Sequence, residues 1–167
     1  FQLMAQLSKI LNQKRMARGS IDFNMEEAKI VVDELGKPVK IEKRPRTVAD
    51  RLIEEFMLAA NEVVAEHYNK LNVPFVYRVH GQPNPMKWKG FCGLMKQYGY
   101  SVSENAEKVT PQELQDVLRG IKEKPEAVIL NKVMLRSMAK AVYSTECTGH
   151  FSLSTAYYSH FTSPIRR

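Results

Sequence analysis

One stretch of the chain constrains its fold most, because residues 47 to about 71 repeat apolar side chains at the spacing of a single long α-helix. At about 100° per residue, these side chains share one face, and we expect them to be buried: Ala49, Leu52, Ile53, Phe56, Met57, Ala60, Val63, Val64 and His67. Glu55, Glu62 and Glu66 fall on the opposite face, which we expect to be solvated. The stretch therefore predicts an amphipathic helix that begins at Thr47.

Three polar side chains, Asp50, Glu54 and Asn61, line up along one flank of the predicted stripe and belong to neither face. A glutamate beside an apolar face, aligned with a carboxamide, is a candidate site residue because such surroundings perturb carboxyl groups. The alternative is a boundary carboxylate that pairs with Arg51 or another surface cation. The pattern leaves both interpretations of Glu54 open.

The remaining segments predict a mixture of helices and strands. Helical spacing predicts further helices over residues 1–18, 85–98, 110–121 and 126–141. In the first of these, Leu3, Leu7, Ile10 and Leu11 form the expected apolar face. Alternating side chains and turn residues predict short strands over residues 21–25, 28–33, 39–43 and 75–79. We therefore predict an α+β fold in which a mixed sheet packs with several helices, as a single domain over residues 1–167 with a helical appendage around 84–125.

Composition limits the class of protein without fixing its function. Hydrophobic residues make up 44% and charged residues 26% of the chain, as in an ordinary globular protein. No apolar run approaches the roughly 18–20 residues that a membrane span needs, and the N-terminus has no signal-peptide layout. The two cysteines, Cys92 and Cys147, predict free thiols in a reducing compartment, so we expect a cytoplasmic protein. A net charge of +7 is compatible with a polyanionic partner but does not establish one.

The last residues of the chain predict an anion-binding helix start. Ser163 followed by Pro164 is typical of a helix N-cap with proline at the first helical position. Arg166 and Arg167 then fall in the first turn, where backbone N–H groups and the helix dipole favour an anion. The arginine fork matches two phosphate oxygens. The alternative is an exposed basic tail.

Several segments together resemble the ribonuclease II/ribonuclease R (RNB) family of processive 3′→5′ exoribonucleases. They are His160 to Arg167, Leu135-Arg136-Ser137-Met138, Gly149-His150-Phe151, Tyr77-Arg78-Val79-His80 and Ile53-Glu54-Glu55. The resemblance covers nearly the whole chain and is greatest to the ribonuclease R branch. It implies a single partial domain, the C-terminal-side portion of an RNB catalytic domain, in a parent enzyme that is monomeric.

The resemblance also implies roles for individual residues. The family hydrolyses single-stranded RNA to nucleoside 5′-monophosphates with Mg²⁺. Arg166 would contact the phosphate at the cleavage site, with Arg167 in support and Ser163 beside them in the RNA-binding set. Glu54 would hold the 3′-terminal nucleotide of the substrate. Phe23 would clamp terminal nucleotides by stacking on a base, although a core aromatic is the alternative for this residue.

The metal ligands of the family are missing from this sequence. Hydrolysis of this kind normally needs two metal ions held by several carboxylates, and the family supplies them from an aspartate-rich loop. Asp22, Asp33, Asp50 and Asp116 are isolated from one another along the chain. We therefore expect Mg²⁺ to be bound outside this chain, and the chain alone to be inactive. A non-catalytic RNA-binding module, or a degenerate family member that binds RNA without cutting it, is the alternative.

Two other groups of residues receive less specific interpretations. The four histidines, His67, His80, His150 and His160, lack metal-ligand spacing, and we expect structural or surface roles for them. Lys132, Arg136 and Lys140 repeat every four residues. This row would face RNA phosphates or, as the simpler alternative, form a solvated basic face.

Overall fold

A computed structural model describes residues 1–22 and 27–162 of the chain. Helices and strands follow one another in the order α1 (Gln2–Ala17), β1 (Glu27–Val32), β2 (Pro38–Arg44), α2 (Val48–Lys70), β3 (Tyr77–Val79), α3 (Pro85–Gln97), α4 (Pro111–Ile121), α5 (Ala127–Ser137) and β4 (Val142–Ser144), before a 3₁₀ turn at Phe151–Leu153. The predicted α+β class is confirmed. No helix in the described ranges is both long and apolar enough to cross a membrane.

Within the described residues the strands form two antiparallel ladders, whereas the sequence predicted one mixed sheet. β1 pairs with β2 through a tight turn, in which Gly36 has a positive φ of 77° and the Asp33 carboxylate accepts hydrogen bonds from two backbone N–H groups. β3 pairs with β4. His80 and His150 add an isolated parallel bridge next to the second ladder. Strand β3 and this bridge bring the end of α2, the 3₁₀ turn and the chain beyond residue 150 together.

Local sequence signals account for the starts of three helices. Thr47 and Asp50 form a capping box at α2, and Thr110 and Glu113 form another at α4. Asn84 caps α3 through the backbone N–H of Lys87. A cap of this type stabilises a helix by about 1 kcal/mol. The predicted starts of α2 and α4 are confirmed. They could be predicted because each depends only on residues three positions apart.

The main hydrophobic core lies between α3, α4 and α5. Its fully buried side chains are Trp88, Phe91, Met95, Leu114, Ile121, Leu130 and Met134. The indole N–H of Trp88 donates to the carbonyl of Ser103, so its polar atom is satisfied inside the core. These helices include the segment predicted as an appendage, and that division into parts stays a prediction.

The predicted apolar face of α2 is wrong in phase. The buried residues are Leu52, Glu55, Leu58, Asn61 and Ala65. Ile53 and Val63, which the sequence placed in the stripe, are 51% and 64% exposed. The prediction from helical spacing failed because two of the buried side chains, Glu55 and Asn61, are polar. Each is buried with hydrogen-bonding partners that are distant in sequence.

Helix α1 departs from its predicted face in the same way. Leu3, Leu7 and Ile10 are exposed, whereas Ser8 and Arg15 are buried. The side chain of Ser8 donates to the carbonyl of Arg51 on α2, at 3.4 Å. Polar contacts therefore contribute to the packing of α1 against α2.

Candidate nucleic-acid interface

Glu54 lies in a cluster of charged side chains beside α2. Arg46, just before the helix, forms an ion pair with Glu54. The same guanidinium approaches the Asp22 carboxylate at 3.4 Å, and Arg15 of α1 lies 4.0 Å from Glu54. The Glu54 side chain is 33% exposed, so solvent and a ligand can reach it. The cation beside Glu54 is thus Arg46 and not Arg51, while a role in substrate binding stays a prediction.

Glu55 is buried, which corrects its predicted place on the solvated face. Its side chain is 4% exposed and accepts hydrogen bonds from Arg15 at 2.6 Å and from Asn12 at 2.7 Å. Burial raises the pKa of Glu55, but the hydrogen bonds from Arg15 and Asn12 and the charge of Arg15 outweigh it and hold the pKa below its ordinary value. Arg15 also donates to the Ser20 hydroxyl. Glu54 is thus partly exposed to solvent, whereas its neighbour Glu55 is buried.

Asn61 holds the chain that leads to the arginine motif. This residue is fully buried. Its side-chain N–H donates to the carbonyl of Thr162 at 3.0 Å, and its side-chain carbonyl accepts from the N–H of Thr162 at 2.7 Å. A second contact joins it to the hydroxyl of Tyr158 at 3.3 Å. The sequence aligned Asn61 with Glu54 but contained no signal for its partner, which lies 101 residues away.

Helix α2 therefore carries two contact points on one face. Glu54 and Asn61 are seven residues apart, which places them on the same side of the helix about 10 Å from each other along its axis. Asp22, near Glu54, immediately precedes Phe23, and Thr162 immediately precedes Ser163. Phe23, Ser163, Arg166 and Arg167 themselves lie outside the described residues, so their predicted roles stay predictions.

Two histidines, buried His80 and half-buried His150, connect the segments around this helix. The Nδ1 atom of His80 accepts from the N–H of Ser152, so its Nε2 carries the hydrogen and donates to the carbonyl of Ala139 at 2.8 Å. The His150 ring packs against the rings of His80 and Tyr158, each with centroids 5.0 Å apart. Burial, with the nearby charges of His80 and Arg78, lowers the pKa of His150 to about 3. His150 is consequently neutral near pH 7.

The described residues contain no metal site of the ordinary kind. Within residues 1–22 and 27–162, no group of three or more His, Cys, Asp or Glu side chains is placed to hold an ion. Asp22 and Glu54 are brought together, but an arginine lies between them. The arrangement can therefore bind a ligand rather than a metal ion. It offers the accessible carboxylate of Glu54, the nearby cations Arg46 and Arg15, and a held Thr162 before the basic motif.

Fold and site define an α+β domain whose longest helix holds both a charged cluster and the approach to an arginine motif. Comparison with known proteins agrees with this description: the RNB domain family matches residues 1–167. The chain belongs to the RNB domain family.

Three similar proteins show the range of this likeness. Ribonuclease R 1 of Lactococcus lactis is 42% identical over 165 residues, which cover 99% of this chain and 20% of that protein. The structure of Mycoplasma genitalium RNase R in complex with ribose-methylated single-stranded RNA superposes with a TM-score of 0.91 at 34% identity, covering 99% of this chain and 26% of that one. Yeast Ssd1, a pseudonuclease, matches with a TM-score of 0.60 at 28% identity, covering 74% of this chain and 16% of Ssd1. The chain thus spans about a fifth of the length of the curated relatives it matches.

Proposed function

We propose that this chain is the C-terminal-side portion of the RNB catalytic domain of a processive 3′→5′ exoribonuclease, which hydrolyses single-stranded RNA to nucleoside 5′-monophosphates. The observation that carries the proposal is the near-complete superposition on an RNase R that was solved with single-stranded RNA. We also propose that the enzyme is monomeric and cytoplasmic, the latter because Cys92 and Cys147 are free thiols.

In this proposal the chain positions RNA for cleavage. Arg166, with Arg167 and Ser163, holds the phosphate at the cleavage site, and Phe23 stacks on a terminal base. Glu54 accepts hydrogen bonds from the 3′-terminal nucleotide, while Arg46 orients its carboxylate. Asn61 ties Thr162, which immediately precedes Ser163, to the same helix that carries Glu54.

The Mg²⁺ of the proposed reaction belongs to residues outside this chain. The described side chains do not fit a metal ion, since their carboxylates are dispersed or already paired with arginines. This chain's contribution is therefore the orientation of the scissile phosphate and of the terminal nucleotide. A fixed cation contributes most as charge develops on the phosphoryl oxygens.

Replacing Arg166 in the full-length protein tests this assignment. Arg166→Ala should lower the rate of cleavage by roughly 10²–10³, as expected for the loss of one preorganised donor. RNA affinity should change much less, because binding is spread over many phosphates. Arg166→Lys should restore only part of the rate, since a point charge lacks the two-pronged geometry.

The measurement is single-turnover cleavage beside a binding titration in Ca²⁺. Arg119→Ala is the control, because Arg119 is exposed on α4 and pairs with Asp116 away from α2. If RNA binding collapses in Arg166→Ala while the cleavage step keeps its rate, Arg166 is an affinity residue and its catalytic role is wrong.

A second candidate function is RNA binding without cleavage. The similarity to Ssd1, a pseudonuclease, favours it. A cleavage assay of the full-length protein separates the two functions. With Mg²⁺ the protein either releases mononucleotides from labelled single-stranded RNA, or binds that RNA and leaves it intact. Closely spaced aspartates upstream of this chain would favour the enzyme, and neutral residues there would favour the binder.

A further inference from the structure

A cavity of about 830 Å³ lies where α3 packs against α5, apart from the Glu54 cluster. Its lining includes Lys87 and Phe91 of α3, Arg136 of α5, Lys140 just beyond α5, and His150 with Ser152. This volume is within the range of about 300–1,000 Å³ that is typical of small-molecule sites. None of these residues takes part in the roles proposed above.

The charges around the cavity have one sign. Lys87, Arg136 and Lys140 all line it, and no aspartate or glutamate among the described residues does. None of the three cations forms an ion pair with a carboxylate in the described part of the chain, whereas Lys70 and Lys96 both do. Cations that converge without a counter-ion repel one another and attract an anion.

The structure also divides the basic row that the sequence predicted along α5. Arg136 and Lys140 line the cavity, but Lys132 does not. All three members of the row are exposed, but only Arg136 and Lys140 share the lining of the cavity with Lys87 of α3. Because the cations come from separate elements, their convergence depends on the packing of α3 against α5.

The other lining groups indicate that the anion carries an organic part. Val133, Leu135 and Met138 supply apolar surface, and the cavity is much larger than an inorganic phosphate requires. Ser152 and His150 supply hydrogen-bonding groups. A neutral histidine and a hydroxyl can bind sugar hydroxyls or base edges without repelling the cations.

We propose that this cavity binds a nucleoside 5′-monophosphate, with its phosphate held by Lys87, Arg136 and Lys140 and its nucleoside against the apolar wall. The choice of a mononucleotide rests on the proposed function, of which it is the product. The location suits a product site, because His150 contacts Tyr158, and Tyr158 contacts the Asn61 that holds Thr162. The cavity is thus linked through His150 to the segment that leads to the arginine motif.

Equilibrium dialysis of radiolabelled AMP against the full-length protein tests the proposal. EDTA removes metal ions, and saturating ribose-methylated single-stranded RNA fills the RNA path, so that AMP cannot be bound there. We expect AMP to remain bound under these conditions, with adenosine and inorganic phosphate each binding more weakly. Lys87→Ala and Arg136→Ala should each weaken AMP binding about tenfold, as expected for one lost charge-assisted hydrogen bond.

Lys132→Ala is the matched control, because it removes the same charge one turn before Arg136 on the same helix without touching the cavity. Its AMP affinity should equal that of the wild type. Three results would each overturn the proposal: displacement of AMP by the RNA, equal weakening in the Lys132 variant, or no AMP binding because another segment fills the cavity. RNA degradation in Mg²⁺ is assayed separately, so an inactive protein that binds AMP refutes the proposed function alone, and an active one that does not bind it refutes the AMP site alone.

Discussion

Asn61 binds the backbone of Thr162 in the way that a neighbouring strand would, with one donor and one acceptor. Because the residue is fully buried, neither group can be replaced by water without opening the structure. Glutamine, with one more methylene, would not fit the same distances of 2.7 and 3.0 Å. The side chain is therefore specific for this position of residue 162.

We predict that replacing Asn61 slows cleavage more than it weakens RNA binding. Asn61→Ala leaves two backbone groups of Thr162 unpaired and should cost about 1–3 kcal/mol in the free energy of unfolding. Asn61→Asp keeps the volume and the acceptor but places a carboxylate against the Thr162 carbonyl, so it too should misplace the following motif. Single-turnover cleavage, an RNA titration and thermal unfolding of the full-length protein measure the three effects.

Asn69→Ala is the control for this experiment, because Asn69 lies on the same helix and its side chain makes a single 3.5 Å contact, with Tyr77, among the described residues. Should Asn61→Asp remain folded and cleave RNA at the wild-type rate, the proposed positioning of the arginine motif through Thr162 is wrong.

At the scale of single residues, the sequence identified candidate site residues but did not predict which side chains surround them. It aligned Glu54 with Asn61 because helical spacing is a local property. It could not show that Asn61 is buried, since its partners Tyr158 and Thr162 lie 97 and 101 residues further along the chain. Glu55 was misplaced for the same reason: its partner Arg15 lies 40 residues earlier.

At the scale of elements, α1 and α2 are joined by a buried ion pair, Arg15–Glu55. Removing one partner of such a pair typically costs about 3–5 kcal/mol, because the other charge stays buried without compensation. Glu55→Ala should therefore impair the protein by unfolding it. This corrects the expectation from the helical wheel that Glu55 is a neutral solvent position.

The ion pair also predicts how stability depends on pH. The pKa of folded Glu55 lies below its ordinary value, so its stabilisation is complete above the ordinary pKa of about 4.5 and is lost as the pH falls through the lower, folded value. Glu55→Gln should be less stable than the wild type at pH 7, and the difference should shrink below about pH 4.

Urea unfolding followed by circular dichroism at pH 7 and at about pH 3.5 measures this difference. Glu66→Gln is the control, since Glu66 pairs with Lys70 on the exposed side of α2 and surface pairs contribute about 0–1 kcal/mol. A Glu55→Gln variant with the same pH dependence as the wild type would contradict the linkage to this carboxyl group.

Helices and strands were predicted correctly where the signal lay in residues close together in the sequence. The helix that begins at Thr47, the helix over 110–121 and the strands over 28–33 and 39–43 were predicted from adjacent residues, and all are present within one or two residues. The faces of α1 and α2 were not predicted correctly, because hydrophobicity assigns polar side chains to the surface. Here Arg15 and Glu55 neutralise each other inside, while Leu3 and Ile53 are exposed.

At the scale of the whole molecule, we predict that the 167-residue chain alone does not degrade RNA. Groups that position a substrate cannot generate an attacking hydroxide without metal ions, and the described side chains hold no metal site. The purified chain is incubated with labelled single-stranded RNA and Mg²⁺, with the full-length protein as the positive control. Stepwise release of mononucleotides from a preparation free of contaminating nuclease would refute the prediction.

The contact between Asn61 and Thr162 also bears on the order in which the molecule becomes functional. It closes a loop of 101 residues that includes α3, α4 and α5. Closing so long a loop costs entropy before any contact repays it, so such pairings form late unless intervening structure has already shortened the loop. The helical core between the two residues does so. On this topology Thr162 gains its fixed position only when α2 and the segment after α5 meet, so a partly folded molecule can contain α2 and Glu54 while Thr162 is not yet held.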